Sequence, residues 1–295
     1  MSSQVTTAFV EQYKSNVLNL VQQRGSVLRD AVLVDSAVVG KKKFTEQVGT
    51  TNAQLRVSRH SDSPMVDTPH LRRSLTLADY EWGDMIDDSD RIRLLIDPSD
   101  AYAQNAAWAM GRAIDDVIIT AATGTAYTGV TGATATTLPT GQKVAVDFVA
   151  PGTPAGMSVA KLREARRILK ANEVSPDEQL WCCMTAKQLD ELLSETEVTS
   201  SDYNSVKALV QGEIDSFMGF NFLHSERLDL LSGTDDRAVL AWAQSGIELG
   251  IGADVRSQIS LRPDKSFSTY VYFSMSIGAT RLEEEKVVEI ACNAG

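Results

Sequence analysis

Residues 97–124 read DPSDAYAQNAAWAMGRAIDDVIITAATG, a single long helix with both ends marked. Asp97 suits the N-cap, Pro98 the first helical position, and Asp100 adds negative charge to the first turn. Gly124 reads as a stop in the left-handed conformation. Between the ends Tyr102, Ala106, Met110, Ala113, Ile114, Val117 and Ala121 recur at spacings of three and four and make one apolar stripe. Ala106, Ala107 and Ala109 are strong helix formers, and Gly111 is the weak point. At about 1.5 Å per residue the rod is roughly 37 Å long, more than the usual globular helix. An ordinary core helix satisfies the same signals, so its surroundings decide its role.

Those surroundings are bounded by composition. The 295 residues allow one large or two medium domains, and 43% hydrophobic content supports a sizeable core. A net charge of -11 argues against a sequence-specific DNA binder, which shows a basic face, but does not exclude contact with packed DNA that must not stick. Cys182 and Cys183 are adjacent in an apolar run and Cys292 stands apart. That is neither a disulfide framework nor a metal knuckle, and it points to a reducing compartment. The opening MSSQVTTAFVEQYK lacks the basic and apolar regions of a signal peptide. No run of about 18 apolar residues is present, so no membrane partner is expected.

Residues 4–24 carry a second amphipathic pattern, with Phe9, Tyr13, Val17, Leu20 and Val21 on one face and Gly25 at its end. Residues 26–40 are apolar but aperiodic, and Lys41, Lys42 and Lys43 read as a solvated turn. From 44 to 83 the chain is polar, with Pro64, Pro69 and the cations Arg56, Arg59, Arg72 and Arg73. Alternation over Gln54–Val57 and Arg73–Leu77 predicts two strands and a loose tip, a long hairpin without a core of its own. Such a hairpin leans on this chain or on another one; a plain surface loop is the alternative. Asp84, Asp87, Asp88 and Asp90 lack the alternating ligands, central Gly and closing Glu of a calcium loop. Ile92–Ile96 reads as a short strand into the long helix.

Beyond Gly124 a Gly-, Thr- and Ala-rich stretch to about 142 is a flexible loop or loose hairpin. Ser158 caps a helix whose core side is Leu162, Ala165, Ile168 and Leu169. Leu180–Met184 is a buried strand, followed by a Thr185–Gln188 capping box and a helix bearing Leu189, Leu192 and Leu193. A short helix at 204–212 precedes Met218 and Gly219, a turn into the strand Phe220–Leu223. Ala238–Trp242 and Gly246–Ile251 are strands. The cleanest alternation puts Phe267, Thr269, Val271, Phe273, Met275 and Ile277 on one face until Gly278 breaks it. Val287–Cys292 is the last strand. The order gives an α+β fold with no regular βα repeat.

Chemistry is sparse. His60, His70 and His224 are not spaced as metal ligands. Gly156–Ala160 echoes a nucleophile elbow but lacks its last Gly, and Ser158 is better used as the helix cap. Gly250 and Gly252 are two glycines of a dinucleotide fingerprint without the third. Asp115 and Asp116, adjacent on a helix, point apart. No catalytic, cofactor or metal residues emerge.

Taken in order, the pieces resemble the major capsid proteins of tailed bacteriophages of the Hong Kong ninety-seven type. Phe44–Trp82 is similar to the family's extended loop, Asp97–Gly124 to its spine helix, and Trp181–Leu189 to its strand–helix step into the axial domain. Met218–Leu223 resembles its Gly-plus-apolar strand entry, while Phe267–Ala279 and Val287–Ala291 resemble its closing strands. The likeness spans nearly the whole chain and rests on order and texture, since the family has no diagnostic motif.

The resemblance implies an N-terminal arm at 1–40, an extended loop at 41–83, and a peripheral domain split between 84–174 and 252–295 around an axial domain at 175–251. It implies a virion subunit forming hexamers and pentamers of an icosahedral head around double-stranded DNA, without sequence-specific binding or cofactor. The loop would lie on the neighbouring subunit, making Lys41, Lys42, Lys43, Arg56, Arg59, Arg72 and Arg73 the contact candidates. Assembly in the host bacterial cytoplasm, with a separate scaffolding protein, a portal and a decoration protein as candidate partners, completes the expectation. The alternatives are an encapsulin-like compartment shell, which shares the fold, and a cytosolic α+β enzyme.

Overall fold

The computed structural model describes residues 22–56, 58–59, 62–86, 99–195, 216–231 and 235–294, and the side chains from 103 onward in the long helix. The expected N-terminal helix, the strand at 92–96, the helix at 204–212, the Asp97–Pro98 cap and Asp87, Asp88 and Asp90 lie outside these residues.

The long helix, α1 (Ser99–Thr123), runs for 25 residues. Ala106, Met110 and Ile114 are buried as the stripe predicts, and Ile118, Ile119 and Ala122 widen burial in the last two turns. Burial widens because α1 is covered on more than one side. The strands, in chain order, are β1 (Leu33–Asp35), β2 (Lys42–Val48), β3 (His70–Thr76), β4 (Ala78–Ile86), β5 (Ala126–Thr128), β6 (Thr134–Thr136) and β7 (Lys143–Val144). Helix α2 (Val159–Ala171), strand β8 (Leu180–Met184) and helix α3 (Ala186–Ser194) follow. The rest is β9 (Ser216–Phe217), β10 (Phe220–His224), β11 (Asp236–Ala243), β12 (Ile247–Arg262), β13 (Ser268–Arg281) and β14 (Val287–Asn293).

These strands form three sheets, ordered β1-β12-β13-β4, β7-β14-β11-β8-β10-β9 and β2-β3-β5-β6. Helix α1 lies on the first, where Val271, Phe273, Met275 and Ile277 alternate inward as predicted and Trp82 meets Phe273 edge-on at 6.3 Å. The second is the main core, with β11 antiparallel to both β14 and β8 and β10 parallel to β8. Helix α2 packs on β14, with Ser158 accepting from the Lys161 N–H at 3.3 Å as its cap. The capping box of α3 is formed by Thr185 and Gln188. Strand β14 thus belongs with β11 in space, although the sequence reading grouped it with the 252–295 segment.

Four local expectations are corrected. Gly124 is not left-handed; a side chain there would come within 2.4 Å of the Thr120 carbonyl oxygen. Gly278 does not end β13, which continues to Arg281; it admits the Thr76 carbonyl, which would lie 2.2 Å from a Cβ where the chain crosses from β3 to β4. Phe267 is not on the inner face. It sits in the β12–β13 turn with a φ of 58°, beside Ser266 at 51°. The first hairpin strand is Lys42–Val48, so Gln54, Leu55 and Arg56 form no ladder strand and the lysine run is no simple turn.

The segment from Gln22 to Ala31 is strapped to the body. The buried Asp115 carboxylate accepts the N–H groups of Val27 and Leu28 at 3.1 Å, and the Trp242 indole donates to the Ala31 carbonyl at 2.9 Å. This explains Gly111: a Cβ there would lie 2.4 Å from the Gly25 carbonyl carbon. Helix propensity alone would favour Ala at 111 by about 1 kcal/mol. Gly111→Ala is nonetheless expected to destabilise the unassembled subunit by roughly 1–3 kcal/mol in urea denaturation, because the strap must shift.

Candidate assembly interface

The extended hairpin has a fastened root and a bare end. Its ladder runs from Lys42 opposite Thr76 to Val48 opposite His70, and the Gly49 N–H to Pro69 carbonyl bond (2.8 Å) closes it. The side chains of β2 that face the body are polar, so each is held by a polar partner. Lys43 bridges Asp35 and Glu248; Thr45 donates to Glu248 at 2.7 Å; Gln47 donates to the Leu282 carbonyl at 3.0 Å. These bonds join β1, β2 and β12. That polar inward face is why hydrophobic alternation did not reveal β2. Past Gly49, every described residue from Thr50 to Asp67 is exposed, Leu55 at 90% and Met65 at 97%.

The seven cations divide. Lys41, Lys42 and Arg59 are exposed, and Arg56 turns back onto the carbonyls of Ser58 and Arg59. Arg72 lies over Phe44 at 5.4 Å and pairs with Glu46. Lys43 and Arg73 are engaged inside the subunit: Arg73 is 8% exposed and paired with Glu284.

Burial pulls the Lys43 ammonium down, but its bonds to Asp35 and Glu248 outweigh this and hold it above the usual lysine value. The bond from Lys43, followed by the Ala37 N–H, holds Asp35 below its ordinary 3.8.

A second projecting hairpin, the outer half of β12 and β13, also shows apolar side chains: Ile259 is 58% exposed, Leu261 62% and Phe267 62%. Its tip is braced by Arg262 on Asp264 at 3.0 and 3.1 Å and by Arg262 over Tyr270 at 5.5 Å. The left-handed Phe267 is thereby presented outward.

Among the described residues no cluster of His, Cys, Asp and Glu is suited to a metal. Burial pushes the Cys292 thiol up to about 12 and raises Cys182 and Cys183 as well, which keeps all three protonated. No described helix is long and apolar enough to cross a membrane. Arg281, Glu248 and Lys161 were the polar residues sequence reasoning missed. Each is almost fully buried and bonded to at least one partner distant in sequence.

A rigid body carries two long hairpins whose apolar side chains the other described residues leave uncovered, which marks them as surfaces for another chain. The phage capsid protein model matches residues 5–294, and the chain belongs to that family. It is a phage major capsid protein, located in the virion shell. No curated protein sequence matches the chain significantly. Among solved structures, the capsid of the cyanophage P-SCSP1u is 17% identical, with 98% of this chain and 95% of that chain covered and a TM-score of 0.75. The capsid of Ralstonia phage GP4 is 10% identical, with 98% and 96% covered and a TM-score of 0.75. The capsid of cyanophage Pam1 is 12% identical, with 98% and 97% covered and a TM-score of 0.72. Family membership sets aside the bacterial compartment shell.

A depressed Asp35 pKa adds stability above its unfolded value, and that contribution is lost as pH falls through the folded value. Corrected for the intrinsic pH dependence of amide exchange, protection in Lys42–Val48 is therefore expected to hold near neutrality and to fall below about pH 4, the usual carboxylate range. In Asp35→Asn the same strand should exchange faster already at neutral pH.

Proposed function

We propose that this subunit closes into hexamers and pentamers of an icosahedral head around double-stranded DNA, with the extended hairpin lying on the neighbouring copy. The observation that carries it is the exposure of every described residue from Thr50 to Asp67 beyond a rigidly fastened root. Lys41, Lys42, Arg56, Arg59 and Arg72 face outward and are the proposed contacts, while Lys43 and Arg73 set the root's angle. The six-stranded sheet with α2 and α3 acts as the axial module. The first sheet with α1 acts as the peripheral one. Residues 1–40 act as the arm. The net charge of -11 keeps the DNA-facing surface from gripping its cargo. A separate scaffolding protein and a portal guide closure in the host cytoplasm, and a decoration protein is a further partner. No step of this role calls for catalysis.

The test is removal of the tip alone. Residues 50–68 are replaced by a short turn between Gly49 and Pro69; a wider cut would take out Leu75, which is 1% exposed. The expected product melts like the parent but forms no closed shells in negative-stain electron microscopy. Normal shells from this variant would overturn the reading, and loss of the fold would assign the tip to the subunit's own stability.

A further inference from the structure

The hairpin needs a receiving surface, and charge narrows the search. Residues 41–76 hold seven Lys and Arg against three Asp and Glu, so this segment carries +4 while the rest of the chain carries -15. A basic arm on an acidic body finds its complement on a second copy.

One place on the body offers carboxylates, aromatic faces and an unpaired strand edge together. Among the described residues, β4 is the edge of the first sheet, paired with β13 on one side only. Its outward face shows Asp79, Glu81, Gly83 and Met85, all exposed. Beside them on β13, Tyr270 and Tyr272 stack with centroids 6.0 Å apart, and the Tyr272 hydroxyl bonds Glu81. Gly83 keeps this floor open: a Cβ there would lie 2.1 Å from the Tyr270 hydroxyl. Carboxylates next to aromatic faces suit guanidinium groups.

The hairpin supplies what this strip lacks. Thr50–Arg56 includes the alternating sequence Gln54–Arg56, yet among the described residues it has no ladder partner in its own chain. An exposed sheet edge is a template for such a segment. Arg56, Arg59 and the 90% exposed Leu55 lie in or just beyond it. The outer half of β12 is a second open edge among the described residues, but its side chains on this same face include Arg256 and Arg262, so the carboxylates Asp79 and Glu81 lie at the β4 edge.

We propose that β4, through Asp79, Glu81 and the Tyr270–Tyr272 stack, is the docking strip for the Thr50–Arg59 segment of a second copy's hairpin. This rests on the reading that the hairpin crosses to a neighbour.

The test is a charge exchange in the full chain. Asp79→Arg with Glu81→Arg should cut the yield of sedimenting shells roughly tenfold or more, because like charges then face each other. Arg56→Glu with Arg59→Glu should do the same. All four substitutions together should restore most of the yield. Unassembled variants must melt like the parent, and the restored quadruple variant excludes misfolding as the cause. Normal assembly of Asp79→Arg with Glu81→Arg overturns the strip, as does a quadruple variant that stays unassembled. Normal shell yield but altered DNA content in Arg56→Glu with Arg59→Glu would assign the cations to nucleic acid and also overturn it. The tip replacement described above separates these failures from failure of the hairpin reading, since it does not depend on where the hairpin lands.

Discussion

The Arg281 guanidinium holds this fold together at the point where its parts meet. It is fully buried, donating to the Ala122 and Gly124 carbonyls at 2.8 and 2.9 Å and to the Thr136 carbonyl at 3.2 Å. The first two are the open carbonyls at the negative end of α1, where a cation is favoured. Glu284 sits 3.6 Å from the Arg281 Nε and pairs with Arg73 from β3. One cation thus ties the end of the spine helix, the β5–β6 hairpin and, through Glu284, the root of the extended hairpin. Burial pulls Arg281 down and Glu284 opposes it, and the carbonyl fork keeps the charge solvated by protein. The removal of one member would leave the others buried and uncompensated, which is why the network is held whole.

From that junction the hairpin acts as a lever. Lys43, Thr45 and Gln47 use polar contacts to fix the root's direction, and Gly278 lets the chain pass from β3 to β4 at a separation no other residue permits. The rigidity stops at Gly49. Beyond it the chain has no apolar layer to bury, so its order must come from outside. The subunit's main core, around β11 and the buried Trp242, does not involve the hairpin at all.

The helix, the capping box, the closing strands and the coreless hairpin were all legible in the sequence because each leaves a periodic or compositional mark. What escaped was long-range polar pairing. Glu248 meets Lys43 across 205 residues and Arg281 meets Ala122 across 159, and no local pattern encodes either. The same holds for the glycines. Gly111 and Gly278 looked like a weak point and a strand break, whereas each marks the close approach of another backbone group; Gly124 does follow the last helical residue, Thr123, but without the left-handed conformation. The misplaced first hairpin strand has a single cause: its inward side chains are Lys, Thr and Gln, so the apolar alternation that marks a half-buried strand is missing.

Charge segregation completes the physical picture. A body of one sign repels its copies face to face, while an arm of the other sign admits one relative orientation. At physiological salt the screening length is about 8 Å, so this preference acts only near contact and leaves free subunits soluble. An arm-on-body contact is heterologous: each copy gives one hairpin and receives one, and a rotation that closes turns such contacts into a ring. In a ring no hairpin is left bare and no receiving surface empty, so weak individual contacts gain stability only together. On the proposed arm-on-body contact, the exposed Leu55 and Met65 would be covered by assembly itself.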